Sequence, residues 1–407
     1  MEKNKIKFLL LEDIHQSARD NLQSAGYSNI ECYKTALDMK CLTNSLNNVH
    51  FIGIRSRSQI NQHVLSLTKE LLAIGCFCIG TDHIDLNDAT VRGIPIFNAP
   101  FSNTRSVAEL VIGEMLIMLR GIPAFNAKMH RNIWYKTSQG SYEARSKKIG
   151  IIGYGHIGTQ LGILAESLGM HVFFYDIENK LPLGNAVQVD KMHELLKISD
   201  VVSLHVPETK LTNNMISTKE LAYMKSTGLL INTSRGNVVN LTALYNALKD
   251  RKIAGAAIDV FPHEPTNNSS FISSLEEFDN VILTPHIGGS TEEAQENIGI
   301  EVSSKLIKYV NNGSTISAIN FPEVSLPIHK YNISRFIHIH KNRPGILKAI
   351  NKIFADKNIN ISSQHLQTSL SIGYVVIDAI NTNKKTLRTV LQLMQSIEGT
   401  IRTRLLY

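Results

Sequence analysis

Residues 147–176 read KKIGIIGYGHIGTQLGILAESLGMHVFFYD, and the rest of the chain is arranged around them. An apolar run over residues 148–153 ends in glycine, and Gly153-Tyr154-Gly155-His156-Ile157-Gly158 follows at once. Residues 157–168 carry helical periodicity and residues 170–175 read as a second strand, so the stretch predicts a βαβ unit. Gly153 permits the tight turn out of the strand, Gly155 lets a pyrophosphate approach the backbone, and Gly158 lets the helix pack close to the strand. The helix N-terminus is then available to phosphate oxygens. Asp176 stands at the end of the second strand, where a carboxylate takes the adenosine ribose hydroxyls. With Glu178 beside it, that charge repels a 2′-phosphate, so the expected dinucleotide is NAD rather than NADP.

Downstream the pattern continues. Residues 201–206, 228–233, 255–261 and 281–284 read as strands, with helices such as 241–248 between them. Polar residues sit where each strand ends: His205, then Thr233-Ser234-Arg235-Gly236, then Asp259 and Glu264, then Pro285-His286-Ile287-Gly288-Gly289. In an open parallel sheet such positions converge on one crevice. Oxidising an alcohol with a nicotinamide cofactor requires a base for the hydroxyl proton and a group that orients the substrate. His286 is the expected base, because imidazole shuttles a proton near neutral pH. Glu264 is its expected partner, and Arg235 offers a planar, permanently charged fork for a substrate carboxylate.

Upstream, residues 6–11, 51–55, 71–74 and 94–98 read as strands of a second parallel α/β unit. Two of its loops are candidates for contact with a ligand. Arg55-Ser56-Arg57-Ser58 follows a strand and can grip an anionic group, the alternative being a solvated loop with a helix cap. Residues 75–85, GCFCIGTDHID, form a glycine-bracketed loop. Ser102-Asn103-Thr104 then opens an apolar helix running to about residue 119. At the other end, a long helix from residue 291 to about 309 precedes a linker over 317–332 with Pro322 and Pro327. The final segment, from about residue 335, reads β-α-β-β-α-β, a ferredoxin-like small domain.

The bulk properties fit this plan. At 407 residues the chain should form two or three domains, and 43% hydrophobic with 19% charged residues is ordinary for a globular protein. The short apolar run at the N-terminus is interrupted by acids and reads as a first strand, not a signal peptide. No stretch approaches the roughly twenty apolar residues of a membrane span. Cys32, Cys41, Cys76 and Cys78 show no zinc-finger spacing, so no metal is expected, and buried reduced thiols in a cytoplasmic protein are the reading. Cys76 and Cys78 alternate along an expected strand and share one face. Of the formal net charge of +7, a balance of +8 falls within residues 335–407, where it forms no dense run. A solvated basic face is expected there, with neither nucleic acid nor membrane as partner.

The succession GYGHIG, NTSRGNVV, AAIDVFPHEP and LTPHIGGST resembles the D-isomer-specific 2-hydroxyacid dehydrogenases, specifically the form with a C-terminal ACT regulatory domain. The resemblance implies an α/β fold of two Rossmann-like parallel-sheet domains plus the βαββαβ domain. It implies a substrate-binding domain from residues 1–102 and 289–330, an NAD-binding domain over 103–288, and an ACT domain over 335–407. It assigns catalysis to Arg235, Glu264 and His286, and NAD contacts to Gly153, Gly155, His156, Ile157, Gly158, Asp176, Thr233, Ser234, Arg235, Asp259, His286, Gly288 and Gly289. Substrate contacts fall on Arg55, Ser56, Asn103 and Arg235, and a regulatory serine site on His340, Asn342 and Asn360. The implied reaction is oxidation of 3-phospho-D-glycerate, feedback-inhibited by L-serine, in a cytoplasmic homotetramer. Other D-2-hydroxy acids (2-hydroxyglutarate, glycerate, lactate) are alternative substrates, since Arg55 and Arg57 do not choose between a phosphate and a distal carboxylate. An NAD-sensing corepressor shares the fold and triad, and the ACT-like tail argues against it. One departure is His329-Lys330-Tyr331-Asn332, standing where bacterial relatives often carry a glycine-rich hinge.

Overall fold

The glycine-rich stretch folds as its pattern demands. Lys148–Ile152 is a strand, the helix His156–Ser167 follows, and His171–Tyr175 pairs parallel to the first strand from Lys148↔His171 to Ile152↔Tyr175. Gly153 has φ +92°, and a Cβ on Gly158 would sit 2.2 Å from the Gly153 carbonyl oxygen, so neither position tolerates a side chain. The computed structural model describes residues 2–265, 269–327, 333–380 and 383–406, which divide into two units. One contains Met1–Ser102 and Gln295–Tyr407, the other Asn103–Ala294.

The second unit is built on a seven-stranded parallel sheet, ordered Val281–Leu283, Gly255–Ile258, Leu229–Asn232, Val201–Leu204, Lys148–Ile152, His171–Tyr175, Val187–Gln188. From Lys148–Ile152 the chain first runs outward to Val187–Gln188, then returns to Val201–Leu204 on the other side. The glycine loop therefore sits at the topological switch point, where α/β sheets bind ligands. Helices cover both faces, which explains why the strands read as continuous apolar runs.

In the first unit a five-stranded parallel sheet runs Ile30–Cys32, Phe8–Leu10, Phe51–Ile54, Ala73–Cys76, Ile96–Phe97. Its switch point lies between Phe8–Leu10 and Phe51–Ile54, ahead of the expected Arg55 loop. Ile30–Cys32, which had no apolar run to announce it, is a half-exposed edge. The expected strand over 71–74 is displaced to Ala73–Cys76.

The C-terminal segment is a four-stranded antiparallel sheet in the order Ile361–Thr368, Ile372–Ile380, Ile333–Lys341, Thr400–Leu406. Helices Ile346–Asp356 and Lys384–Gln395 cover one face, with Phe336, Val375, Ile377, Ile350, Phe354 and Val390 forming a core. The opposite face does not stop at a linker. Ile337, Ile339, Ile372, Tyr374 and Val376 join the core of the first unit together with Phe97, Leu306, Tyr309 and Phe321. Tyr374 donates its hydroxyl to the Gly313 carbonyl at 2.6 Å, and Arg402 donates to the Leu71 carbonyl. The segment 329–332, expected to replace a glycine hinge, lies outside the described residues. Among the described residues no helix is long and apolar enough to cross a membrane.

Candidate active site

Three consecutive strand ends of the second unit carry Arg235, Glu264 and His286. Arg235 leaves the strand Leu229–Asn232 through a turn that Asn232 holds on both sides. Its amide donates to the Arg235 carbonyl at 3.0 Å, while its side-chain oxygen accepts from the Ser234 amide and hydroxyl at 3.1 and 2.8 Å. The next residue must be glycine. A Cβ on Gly236 would lie 2.0 Å from the Phe261 carbonyl carbon, and this close approach ties the Arg235 turn to the loop that carries Glu264.

Glu264 is fixed through both oxygens: Oε1 accepts the Phe261 N–H at 3.0 Å and Oε2 lies 2.7 Å from His286 Nδ1. His286 itself has φ +54°, a left-handed conformation that costs energy in a non-glycine residue. Its N–H donates to the Asp259 carbonyl at 2.8 Å and the Thr284 carbonyl at 3.0 Å. The Asp259 carboxylate holds the following turn by accepting from Thr284 Oγ1, Ile287 N–H and Gly288 N–H at 2.6, 2.8 and 2.9 Å. The hydrogen bond to Glu264 raises the His286 pKa against partial burial, which opposes it. Burial would push Glu264 up, but its bonds from His286 and Phe261 N–H outweigh that and hold it below the ordinary carboxyl value. With Nδ1 committed to a carboxylate, Nε2 is the nitrogen available for proton transfer.

On the dinucleotide side, a Cβ at Gly155 would meet nothing within 4 Å, leaving the backbone open to a close ligand. His156 and Ile157 begin the helix whose N-terminus faces that opening. Asp176 accepts the Tyr154 N–H at 2.9 Å and the Glu178 N–H at 3.0 Å, so its carboxylate is locked against the glycine loop. Thr233 Oγ1 and His205 Nδ1 are buried without a hydrogen-bond partner, as polar atoms awaiting a ligand would be. These features fit a bound dinucleotide. Asn103, ahead of the helix Thr104–Leu119, approaches the His286 turn: a Cβ on Gly289 would lie 2.4 Å from Asn103 Nδ2.

Arg55 and Ser56 belong to the first unit, so they are not grouped with Arg235 inside one unit. Glu12, which the sequence reading passed over, holds their loop. It accepts the Arg57 and Ser58 N–H groups at 2.9 and 2.8 Å from across the switch point. Glu12 and Asp13 both have positive φ, and that kink aims the carboxylate. Glu114 was also missed: it is 3% exposed on the helix Thr104–Leu119, with both carboxyl oxygens unpartnered. Burial first, then the Asp259 charge, raises its pKa to about 8.

In the small domain His340 is 3% exposed, bonded through Nδ1 to the Lys341 carbonyl at 2.9 Å, and packed on Gly373, where a Cβ would lie 2.3 Å from the ring. Asn342 is exposed and donates to the Ser369 carbonyl at 2.7 Å. Asn360 is exposed just before the edge strand.

A dinucleotide loop at the switch point, followed by a strand-end arginine and a histidine–carboxylate pair, defines a nicotinamide-dependent dehydrogenase acting on an alcohol that carries an anion. Residues 112–288 match the NAD binding domain of the D-isomer specific 2-hydroxyacid dehydrogenases, and residues 336–402 match the AHAS small subunit-like ACT domain. The chain is 63% identical to D-3-phosphoglycerate dehydrogenase of Escherichia coli K12 across 100% of its own length and 99% of the relative. It is 58% identical to the Haemophilus influenzae protein of the same name, over 100% and 98%. Among solved structures, D-lactate dehydrogenase from Aquifex aeolicus complexed with NAD and lactic acid aligns with TM-score 0.67 and 29% identity, over 75% of this chain and 96% of that one. The chain belongs to the D-isomer specific 2-hydroxyacid dehydrogenase family.

Proposed function

We propose that the chain catalyses NAD-dependent oxidation of 3-phospho-D-glycerate to 3-phosphooxypyruvate, the first step of L-serine synthesis. The observation that carries the reaction class is the 2.7 Å His286–Glu264 pair on strand ends adjoining Arg235. The substrate follows from full-length similarity to proteins named for it. When bound, NAD supplies the hydride acceptor. His286 Nε2 takes the hydroxyl proton of the substrate, and Glu264 stabilises the imidazolium that forms. The Arg235 fork holds the substrate carboxylate and polarises the neighbouring oxygen. Gly153, Gly155, His156, Ile157, Gly158, Asp176, Thr233, Ser234, Asp259, Gly288 and Gly289 hold the cofactor, while Arg55, Ser56 and Asn103 complete the substrate site. Residues 1–102 and 289–330 form the substrate-binding part, 103–288 the NAD-binding part and 335–407 the regulatory part, in a cytoplasmic enzyme. Steady-state reduction of a panel of 2-oxo acids with NADH tests the assignment. The highest kcat/KM is expected for 3-phosphooxypyruvate, and a higher value for 2-oxoglutarate, glyoxylate or pyruvate would move the substrate.

Asp176→Ala removes a charged acceptor and is expected to weaken NAD binding by about 1.5–3 kcal/mol, with the preference over NADP narrowed. Equal NAD and NADP discrimination in parent and variant would withdraw Asp176 from ribose recognition. Glu264→Gln removes the hydrogen-bonded charge that raises His286. The folded pKa of His286 then falls, so 2-oxo acid reduction, which needs the protonated ring, fades at lower pH than in the parent. The acidic limb of oxidation moves to lower pH as well. Superimposable pH profiles would exclude the pairing from catalysis.

The ACT domain is the seat of amino-acid regulation, and L-serine is the effector we assign to His340, Asn342 and Asn360. The outer strand Ile361–Thr368 pairs on one side within the chain, leaving an edge for a second copy in a dimer or tetramer. L-serine is expected to inhibit, and Asn342→Ala to relieve inhibition with little change in the uninhibited rate. Isothermal calorimetry showing no heat at millimolar serine would remove the effector.

A further inference from the structure

Beyond this activity, we propose that the loop over residues 76–83 is a soft-metal site of the zinc class, formed by Cys76, Cys78 and His83. The sequence gives no sign of it, since C-x-C followed five residues later by histidine is not a zinc-finger spacing. The fold supplies the convergence. Cys76 is the last residue of the strand Ala73–Cys76, paired with Ile54, and the Phe77 N–H continues the ladder to the Ile54 carbonyl at 2.7 Å. The chain then turns back. Ile60 N–H donates to the His83 carbonyl at 2.9 Å, and Asp85 N–H donates to the Ile60 carbonyl at 3.0 Å, so the near end of the loop is held by the strand residue Ile54 and the far end by Ile60, in the loop that follows Phe51–Ile54.

The result places the Cys76 and Cys78 sulfurs 3.2 Å apart and the Cys76 sulfur 3.6 Å from His83 Nε2, with all three ligand atoms within 4.8 Å of one another. An ion about 2.3 Å from each sulfur and about 2.1 Å from the imidazole nitrogen, at tetrahedral angles, asks for a sulfur–sulfur separation near ~3.7 Å. The sulfurs need to part by only a fraction of an ångström. Two thiolates and an imidazole select zinc-like ions over magnesium or calcium, which prefer oxygen. Cys76 is fully buried and Cys78 and His83 are half-buried, so the site is sheltered yet has a path from solvent. Three protein ligands leave the fourth position open. Both sulfurs now sit against the Gly80 carbonyl, at 3.2 and 3.1 Å, and Cys78 lies 3.4 Å from the Arg55 carbonyl. Metal binding would replace those weak contacts and clamp this loop beside the backbone of Arg55.

The test uses the full chain, reduced with a phosphine, stripped with a chelator and titrated with Co²⁺. One Co²⁺ per chain is expected, with thiolate-to-cobalt charge-transfer absorption that Zn²⁺ abolishes, and Zn²⁺ should raise the thermal midpoint of the parent. Cys78→Ser should lose the charge-transfer band and His83→Gln should weaken cobalt binding more than about tenfold, both while keeping the far-UV circular dichroism and cooperative unfolding of the metal-free parent as proof of folding. Absence of the band in the reduced parent overturns the site. An equal band in Cys78→Ser, or unchanged affinity in His83→Gln, overturns it too, because the metal would then sit elsewhere.

Discussion

Arg335→Ala is expected to cost about 3–5 kcal/mol of stability, the range for removing one partner of a buried ion pair. Arg335 is 1% exposed and forks onto Asp378, with Nε to Oδ1 at 2.6 Å and Nη2 to Oδ2 at 2.7 Å. Its remaining nitrogen donates to the carbonyls of Asn312 and Pro327 at 3.0 and 3.1 Å. The guanidinium thus bonds the small sheet to the end of the helix Glu292–Asn312 and to the segment entering the sheet. Truncation to alanine strands the Asp378 charge in the interior and orphans two carbonyls. Arg335→Met with Asp378→Leu removes both charges, and most of the loss should return. The part that does not return measures the docking bonds to the Asn312 and Pro327 carbonyls. Urea unfolding of the intact chain reads both variants. A single-variant loss below about 1 kcal/mol would mean the pair is not the lock between the small sheet and its unit.

This docking also bears on regulation. Tyr374 and Ile337 pack in the same core as Tyr309 and Phe321. An amino acid that repositions the small sheet therefore acts on the first unit through packed side chains rather than through a slack tether. It follows that a chain cut after Pro327 would lay that core open, and Asn342→Ala is the cleaner way to separate regulation from catalysis.

The dinucleotide loop was legible because local geometry requires each of its glycines: Gly153 for a positive φ and Gly158 for a 2.2 Å approach. Arg235, Glu264 and His286 were legible for a different reason. Parallel strands put their ends on one edge, so residues far apart in sequence are neighbours once the strands are recognised. Glu12 was not legible, since an acid in a strand-end loop looks solvated, and only its left-handed backbone turns it onto the Arg57 and Ser58 amides. The Cys76–Cys78–His83 cluster was hidden because Ile60, outside the motif, sets its geometry. The docked face of the small sheet left a trace in the sequence: residues 374–377 are apolar on both alternating faces, and Ile337 and Ile339 are apolar on the face opposite Phe336, the mark of strands covered on both sides. Glu114 left one as well, since it falls at helical spacing among the buried Val107, Val111 and Met118.

That buried acid makes the pH dependence of stability a sharp test. The ordinary Glu value of 4.5 applies to the unfolded chain, and the folded value is about 8. Between these two values the folded state keeps a proton that the unfolded state has lost, so stability falls as pH rises through this window. Below about pH 4.5 both states are protonated and above about pH 8 both are ionised, so the contribution is flat on either side. At about 1.36 kcal/mol per pH unit, the accumulated penalty is of the order of 3 kcal/mol at neutral pH and somewhat more at pH 8. The cause is burial, reinforced by Asp259, whose carboxylate is occupied in holding the His286 turn. Glu114→Gln keeps the shape of the side chain and removes its titration. The variant is expected to match the parent near pH 4.5, to exceed it by about 4 kcal/mol at pH 8, and to keep the His286 turn free of a second charge in alkaline solution. Unfolding midpoints of parent and variant measured across this window decide the matter. Parallel curves would mean that Glu114 is ionised in the folded chain, with a cation or solvent reaching it, and that the protonated acid beside Asp259 does not exist.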